Sequence, residues 1–542
     1  MNPNRIKIFI NKQMKTTLHQ IFPATAAIMI TFLMVSCDRD LLETVPTDRV
    51  SEDVFWNSPA DASSAVNALY LDLDTTNIFS FDALTEIGHV NQNFAVDAQI
   101  ALGVYDGTNS KVDAEWANAY KGIRATNYFL ENVDRVALDD ADLLARYKAE
   151  AKTLRAYQYI KLVGLFGDVP LITETISVED ARTLTRTPSE NIWDFVDKEL
   201  EEAAQALPLS YTGGDIGRIT KGAALALKAR ANLWAERYQQ AADAATAVIN
   251  LGVYSLHPTY GSLFGYDAAN GSETILARQY QKNSYPHNAF QILAPYSQQN
   301  GNSTYVPTRQ LVDLYEMVDG SLITGNPNYN PLEPTNNRDN RLKFSVYTKG
   351  DQLPSNATFN PAPNSGTADA IGGTYIASTT GFNVKKYVVQ EDFANPGNSG
   401  IPLMLIRYAE VLLTLAEAKL ELGQLDETLY QALNQLRNGR TDVKQPSVTT
   451  RNTDDLREII RRERTIELAF EGLHLFDIRR WKSAEQVLPG PVYGMTYVNN
   501  SGEAVTVRVV AVERNFVSRH YLWPIPQNER YLNENLTQNP GW

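Results

Sequence analysis

A mainly α-helical protein, built from successive helical pairs on either side of a large loop-rich region, is what this sequence predicts. Three observations predict it. Apolar residues recur at three- and four-residue spacing through long segments before residue 250 and after residue 402. Short breaks separate successive periodic segments, as between packed neighbouring helices. Between Gly252 and Pro402 the period mostly disappears and Gly, Pro, Asn, Ser and Tyr take over, as from Gly325 to Asn340.

The first helix is expected from Asp53 to Tyr70, with Val54, Phe55, Ala62, Ala65, Val66 and Leu69 on one face. Ser58 caps it and Pro59 fills its first turn, where a missing N–H costs nothing. A second runs from Ala114 to Val133, carrying Trp116, Tyr120, Ile123, Tyr128 and Leu130. Its partner spans Asp140 to Leu165, with Leu144, Tyr147, Ala151, Leu154, Tyr157 and Leu162 at helical spacing before Gly164 and Gly167 end it. Pro188 to Leu207 pairs with Thr220 to Glu236, which continues into Gln239 to Asn250. Leu403 to Leu422 pairs with Asp426 to Arg437. The run Ala223 to Ala235 is rich in small residues, which lets helix axes approach closely, as in a tetratricopeptide-like scaffold of helical pairs. No regular 34-residue period survives, so the repeats are degenerate.

Two late segments carry charge as well as apolar faces. Leu405, Ala409, Leu412, Leu413, Ala416 and Leu420 form a stripe that leaves Arg407, Glu410 and Glu417 at its margins. Leu456, Ile459, Ile460, Ile466 and Phe470 build a buried face, opposite the pairs Glu458 with Arg462 and Glu463 with Glu467. Arg461, Arg464, Glu467, Glu471 and Arg479 are expected to form a partly buried ion-pair network joining helices.

At the N-terminus, Arg5, Lys7, Lys12 and Lys15 precede an apolar run from Ile21 to Val35. That run is shorter than the roughly 20 residues a membrane-crossing helix needs, so residues 1–36 are expected to be an export signal, and Met14-Lys15 also resembles a natural start. Cys37, the single cysteine, follows Leu33-Met34-Val35-Ser36, which resembles the lipobox of bacterial lipoproteins, whose thiol is acylated. The alternative is an ordinary cleaved signal with an incidental cysteine. Residues 37–50, with Asp38, Asp40, Glu43 and Asp48, are then a lipidated acidic tether.

The formal charge of −14 opposes binding to nucleic acid, which needs a positive field. Hydrophobic residues make up 43% and charged residues 21% of the chain, a folded, water-facing composition. No recognisable catalytic constellation is present. No two of the six histidines share the i, i+4 spacing of a zinc helix, and no G-x-S-x-G elbow occurs. Gly217-Arg218-Ile219-Thr220-Lys221-Gly222 fails as a phosphate loop, because Ala223 stands where Lys is needed and no strand precedes it. We therefore expect no catalytic residues, no metal and no cofactor. A surface glycosidase remains an alternative, since two carboxylates suffice for that chemistry and 63 acidic residues make chance pairs unavoidable. So does a structural assembly lipoprotein using helical pairs to hold partners.

Several segments, in order, resemble the SusD/RagB family. Asp53-Val54-Phe55-Trp56 with Asn67-Ala68-Leu69-Tyr70 is similar to its opening helix. The middle carries Pro307 to Met317 with Asp319-Gly320, then Arg338-Asp339-Asn340-Arg341 and Lys385-Lys386-Tyr387. The C-terminal part carries Arg407-Tyr408-Ala409-Glu410, Glu463 to Gly472, Phe476 to Trp481, Trp523-Pro524-Ile525-Pro526 and Asn539-Pro540-Gly541-Trp542. Position 340 is Asn where the family usually has Pro. The resemblance implies a SusD-like N-terminal helical region at 51–250 and a RagB/SusD C-terminal region with long loops at 251–542. It also implies a non-catalytic nutrient-binding lipoprotein at the outer-membrane surface, acting as a lid on a SusC-like TonB-dependent transporter.

A sugar offers apolar C–H faces and a rim of hydroxyls, which suits aromatic platforms beside amides, acids and Arg. Such residues cluster in the long loop region and in a lesser one from Thr75 to Asp113. The candidates are Phe94, Asp97 and Tyr105 in the lesser region, and Tyr280, Tyr285, Asn288, Tyr296 and Tyr305 in the longer. The competing role for each aromatic is to pack its loop down. Neither region holds a Trp, so a peptide ligand stays open beside an oligosaccharide.

Overall fold

The computed structural model describes residues 55–92, 95–373 and 376–542. The expected signal segment, Cys37, the expected tether and Phe94 lie outside the described residues. The chain divides into Met1–Asn57 and a body, Ser58–Trp542, which carries all of the following elements.

The body is mainly α, as its apolar periodicity predicts. Helix α1 (Pro59–Leu69) begins at a capping box in which Ser58 Oγ accepts from Asp61 N–H at 3.3 Å and Asp61 accepts from Ser58 N–H at 2.8 Å. The lesser loop region contains α2 (Ile78–Ala83), β1 (Gly88–Val90) and α3 (Val96–Ala101). Then α4 (Ser110–Asn132), α5 (Ala141–Phe166), α6 (Ser189–Ala206), α7 (Lys221–Trp234) and α8 (Tyr238–Asn250) pack each against the next. Thr220, in the failed phosphate-loop pattern, is the N-cap of α7, with its Oγ1 3.2 Å from Ala223 N.

The long loop region is only partly irregular. It holds β2 (Thr274–Arg278), β3 (Tyr305–Pro307), α9 (Arg309–Leu314), α10 (Asn340–Ser345), β4 (Val346–Tyr347) and β5 (Asn383–Val384). These elements are too short for periodicity to reveal them. After them come β6 (Leu403–Arg407), α11 (Tyr408–Glu421), α12 (Glu427–Asn438), α13 (Thr453–Glu467) and α14 (His474–Arg480). The antiparallel hairpin β7 (Gly490–Val498) and β8 (Ala504–Arg514) follows. The other strand pairs are β1 with β3, β2 with β6 and β4 with β5, all antiparallel.

Three expectations need correction. Gly164 does not end a helix, because α5 continues to Phe166 and stops at Gly167, whose φ is 72°. A Cβ at Gly164 would meet Trp234 at 2.9 Å and Phe476 at 3.0 Å, so this glycine lets that ring stack, 4.3 Å between centroids, press against α5. Leu403–Arg407 is not the start of a helix but a fully buried strand beside β2. A five-residue segment has no measurable period, and burial of all five residues decides for strand.

The third correction concerns charge. Arg407, Glu410, Glu417, Glu463 and Glu467 are buried, none more than 3% exposed, and not marginal or on a solvated face. Six cations, Arg341, Lys386, Arg407, Arg437, Arg440 and Arg462, meet six carboxylates, Glu273, Glu316, Asp339, Glu463, Glu467 and Glu471. The balance of sign is what permits burial. Burial alone would push Glu467 up, but Arg440, Arg407 and Arg341 hold it well below the usual carboxylate range. Glu467 and Glu471 belong to the expected network. Arg464 pairs instead with Asp477 at 2.8 Å, Arg461 lies over the Trp481 ring, and Arg479 donates to His520 O.

Candidate ligand-binding surface

The ion network also fixes the start of β2. Glu273, immediately before that strand, takes Arg407 at 2.7 Å and Arg440 at 2.8 Å, and its carbonyl accepts from Tyr408 N–H. Strand β2 then runs antiparallel to β6 and ends at Arg278, opposite Leu403. Beyond it the chain makes a tight turn in which Gln281 and Tyr285 exchange both backbone hydrogen bonds, at 2.9 and 3.0 Å. Asn283 occupies the turn with φ 69°, a left-handed conformation that Asn tolerates better than most residues. Reciprocal amide bonds to Asn398 and a Lys282–Asp392 ion pair at 2.9 Å tie the turn to the segment before β6.

This scaffold presents two tyrosines in parallel. The Tyr280 and Tyr285 rings stack with 5.4 Å between centroids and 10° between planes, and Tyr285 remains 41% exposed. His287 meets the Tyr280 ring edge-on at 4.7 Å. Arg278 fixes the outer ring, since its Nη2 donates to Tyr285 Oη at 2.5 Å while Nη1 donates to the carbonyls of Leu71 and Leu73. Burial pushes the Tyr280 phenol up to about 12, against the pull of Arg278.

The shelf opens on a cleft of about 320 Å3 whose wall includes Asn67, Tyr70, Arg218, Arg278, Gln279 and Tyr285. A second cleft of about 260 Å3, reaching Tyr211 and Tyr254, shares Ile216, Gly217, Arg218 and Gln279 with the first. Arg218 is braced by Glu150 at 2.9 Å and Asp215 at 2.6 Å. Tyr70 donates to Glu150 at 2.7 Å and accepts from Ile219 N–H at 2.9 Å. Fixed aromatic faces beside held amide and guanidinium groups can stack a ring and bond its hydroxyl rim.

Of the residues expected at a site, Tyr280 and Tyr285 come together, with exposed Asn288 following His287 and accepting from Thr76 Oγ1 at 3.3 Å. Tyr305 and Asp97 form a separate pair, the phenol donating at 2.6 Å to the carboxylate of Asp97, a buried residue. Lys111 lies 3.8 Å beyond that carboxylate, so the pair serves an internal network. Tyr105 is 6% exposed, packed between His520 and Trp542, and cannot serve as a platform. Tyr296 is half-buried, next to Ser297, whose N–H donates to Asp369. Arg278, Arg218 and Tyr70 escaped sequence reasoning because each comes from a different segment and only the fold joins them.

Two family models cover most of the chain: one described as the SusD family matches residues 261–542, and one described as starch-binding associating with outer membrane matches residues 36–247. SusD-like protein P2 of Formosa agariphila is 26% identical over 544 residues, covering 95% of this chain and 98% of that protein. A SusD-like carbohydrate binding protein from Bacteroides fragilis is similar in structure, with a TM-score of 0.83 at 28% identity, over 89% of this chain and all of that one. A second SusD-like protein from the same species gives 0.80 at 25% identity, over 92% of this chain.

Proposed function

The chain belongs to the SusD family, and on that ground we propose that it is a non-catalytic, outer-membrane carbohydrate-binding protein that holds an oligosaccharide on the Tyr280–Tyr285 shelf. The observation that carries this reading is the parallel tyrosine pair with its outer phenol fixed by Arg278. A pyranose stacks on the exposed Tyr285 face, while Asn67, Gln279 and the Arg218 guanidinium, all on the adjoining cleft wall, meet its hydroxyls. Because the turn is braced before any ligand arrives, little ordering entropy is lost on binding.

Uptake follows from capture. Acylation at Cys37 tethers the body to the membrane, and a SusC-like TonB-dependent transporter receives the ligand as this protein closes over it. Closure is driven by a difference in affinity between the open and closed states. The absence of catalysis is supported by the acids of the buried network, Glu463 and Glu467, which are committed to guanidinium partners of fixed charge.

Calorimetric titration of the mature protein against neutral oligosaccharides, with chromatography of the products, tests the reading. Binding that Tyr285→Ala weakens, without any shortened product, is the expected result. Cleaved product, or equal affinity in the variant, overturns it.

A further inference from the structure

A third, larger cleft of about 750 Å3 lies where α5, α7 and α14 end against the C-terminal segment. It shares no lining residue with the two clefts beside Tyr285. Five cations line it, Arg186, Arg479, Arg480, Lys482 and Arg519, against two carboxylates, Asp168 and Glu236. Arg480 is neutralised from behind by Glu417 at 2.5 Å and Asp477 at 2.9 Å. The other four form no ion pair among the described residues. Arg186 donates to Asp168 O, Thr537 O and the Asn539 amide oxygen. Arg519 lies 4.6 Å from the Trp542 ring centre and Lys482 lies 5.0 Å from that of Tyr521.

Arg479 is the most weakly held of the guanidinium groups in this cleft's wall. It is 6% exposed, and its one hydrogen bond goes from Nη2 to His520 O at 3.1 Å. Its Nε and Nη1, like Trp234 Nε1 in the same wall, are enclosed without a hydrogen-bond partner, and the guanidinium lies 5.8 Å from the Trp523 ring centre. Burial pulls this guanidinium down to about 10, and Tyr105 is the neighbour that opposes the shift. The carbonyl ends of three helices explain why cations gather here, but they leave those donors unused. An enclosed cation without a counter-charge is costly; the other buried arginines that lack an ion pair among the described residues, Arg278, Arg338 and Arg514, each donate to at least two backbone carbonyls, whereas Arg479 reaches only one.

We propose that this cleft binds the oxyanion of an acidic saccharide, a uronate carboxylate or a sulfate ester. Lys482 and Arg519 meet the anion at the mouth, and Arg479 supplies the compensating charge from the wall. Half-buried Trp234 and Tyr521 line the same cleft and offer aromatic faces to the sugar. The saccharide half of this inference rests on the carbohydrate reading above, whereas the anion half rests on the cleft alone.

The test is titration, at constant ionic strength, with tri-galacturonate, its neutral methyl ester, a sulfated galactose and sodium sulfate. Tri-galacturonate or the sulfated sugar is expected to bind, the ester at least tenfold more weakly than its acid. Lys482→Ala with Arg519→Ala, both altered near the surface, is expected to lower that affinity at least tenfold and to flatten its salt dependence. Tyr285→Ala is expected to leave it unchanged while reducing the binding of neutral sugars. Arg479→Gln is expected to abolish anion binding, and the double surface variant keeps the test decisive if that protein does not fold. Binding of the ester as tightly as the acid, or unchanged affinity in the double variant, overturns the proposal. So does loss of the acidic sugar in Tyr285→Ala, which moves it to the other site. Binding of sodium sulfate alone overturns the saccharide assignment, and no binding by any anion overturns the site.

Discussion

Arg407 Nη1 lies 2.8 Å from Glu467 Oε1, and neither side chain is more than 1% exposed. Strand β6 and helix α13 are joined at that point, and the same guanidinium reaches Glu273 at the root of β2 and Glu471 just beyond α13. The geometry of the tyrosine shelf therefore depends on a charge cluster buried behind it.

Removing one member leaves the others uncompensated. Arg407→Ala is expected to destabilise the body by about 3–5 kcal/mol, the range for a broken buried pair. A urea denaturation series reads this as a lower midpoint. The double variant Arg407→Met with Glu467→Leu should lose less than the two single changes added together, because it removes charge and partner at once. Strict additivity would mean that the two groups are not coupled.

Tyr285 and Tyr105 should separate binding from stability. Tyr285→Ala removes an exposed platform and is expected to weaken oligosaccharide binding by about 1 kcal/mol with little change in melting temperature. Tyr105→Ala empties a packed site beside His520 and Trp542. It should cost about 3 kcal/mol of stability and leave the affinity of the folded fraction intact. Calorimetry and thermal melts on both variants check the contrast.

Gly164 offers a test in which local and tertiary effects oppose each other. In an isolated helix, Gly164→Ala would gain about 1 kcal/mol. Here the new methyl group meets Trp234 and Phe476 at 3.0 Å or less, so overpacking of about 1–3 kcal/mol should outweigh the gain. A rise in the denaturation midpoint would show that the ring stack yields freely.

How much of this was legible in the sequence depends on the range of the signal. Helical pairs up to Asn250 show in the apolar period, and the Ser58 cap was read correctly because it involves neighbours only three residues apart. The strand at Leu403 and the continuation of α5 through Gly164 were missed because each depends on a partner far along the chain, β2 in one case and Trp234 with Phe476 in the other. The hairpin β7–β8 was there to be read, since Val505, Val507 and Val509 alternate with Thr506 and Arg508 after an Asn-Asn-Ser-Gly turn. At the site, Tyr280 and Tyr285 could be picked by residue type and loop composition. Arg278, which holds one of them, could not, because its partners at Leu71 and Leu73 lie some two hundred residues earlier in the chain.

His287 makes the shelf sensitive to acid. Its Nε2–H donates to Ile401 O at 2.8 Å and its Nδ1 accepts from Ala289 N–H at 3.1 Å, so the fold uses the neutral ring. Burial pulls the imidazole down to about 4, and the Ile401 bond and Asp392 only partly offset that. In the unfolded chain the ring takes up a proton near pH 6.5. Between pH 6.5 and about 4 the unfolded state therefore binds the extra proton and the folded state does not, so stability is full above that window and falls as pH drops through it, by about 1.4 kcal/mol per unit. Buried His89 and His520, drawn down to about 3 and about 4, add losses of the same sign. His287→Gln can reproduce both hydrogen bonds without titrating, so its pH–stability curve should be shallower than wild type from pH 6.5 to 4. Ligand affinity should behave in the same way, because protonation sets an N–H against the Ala289 N–H and displaces the ring that buttresses Tyr280. Superimposable curves for variant and wild type would remove His287 from the acid response.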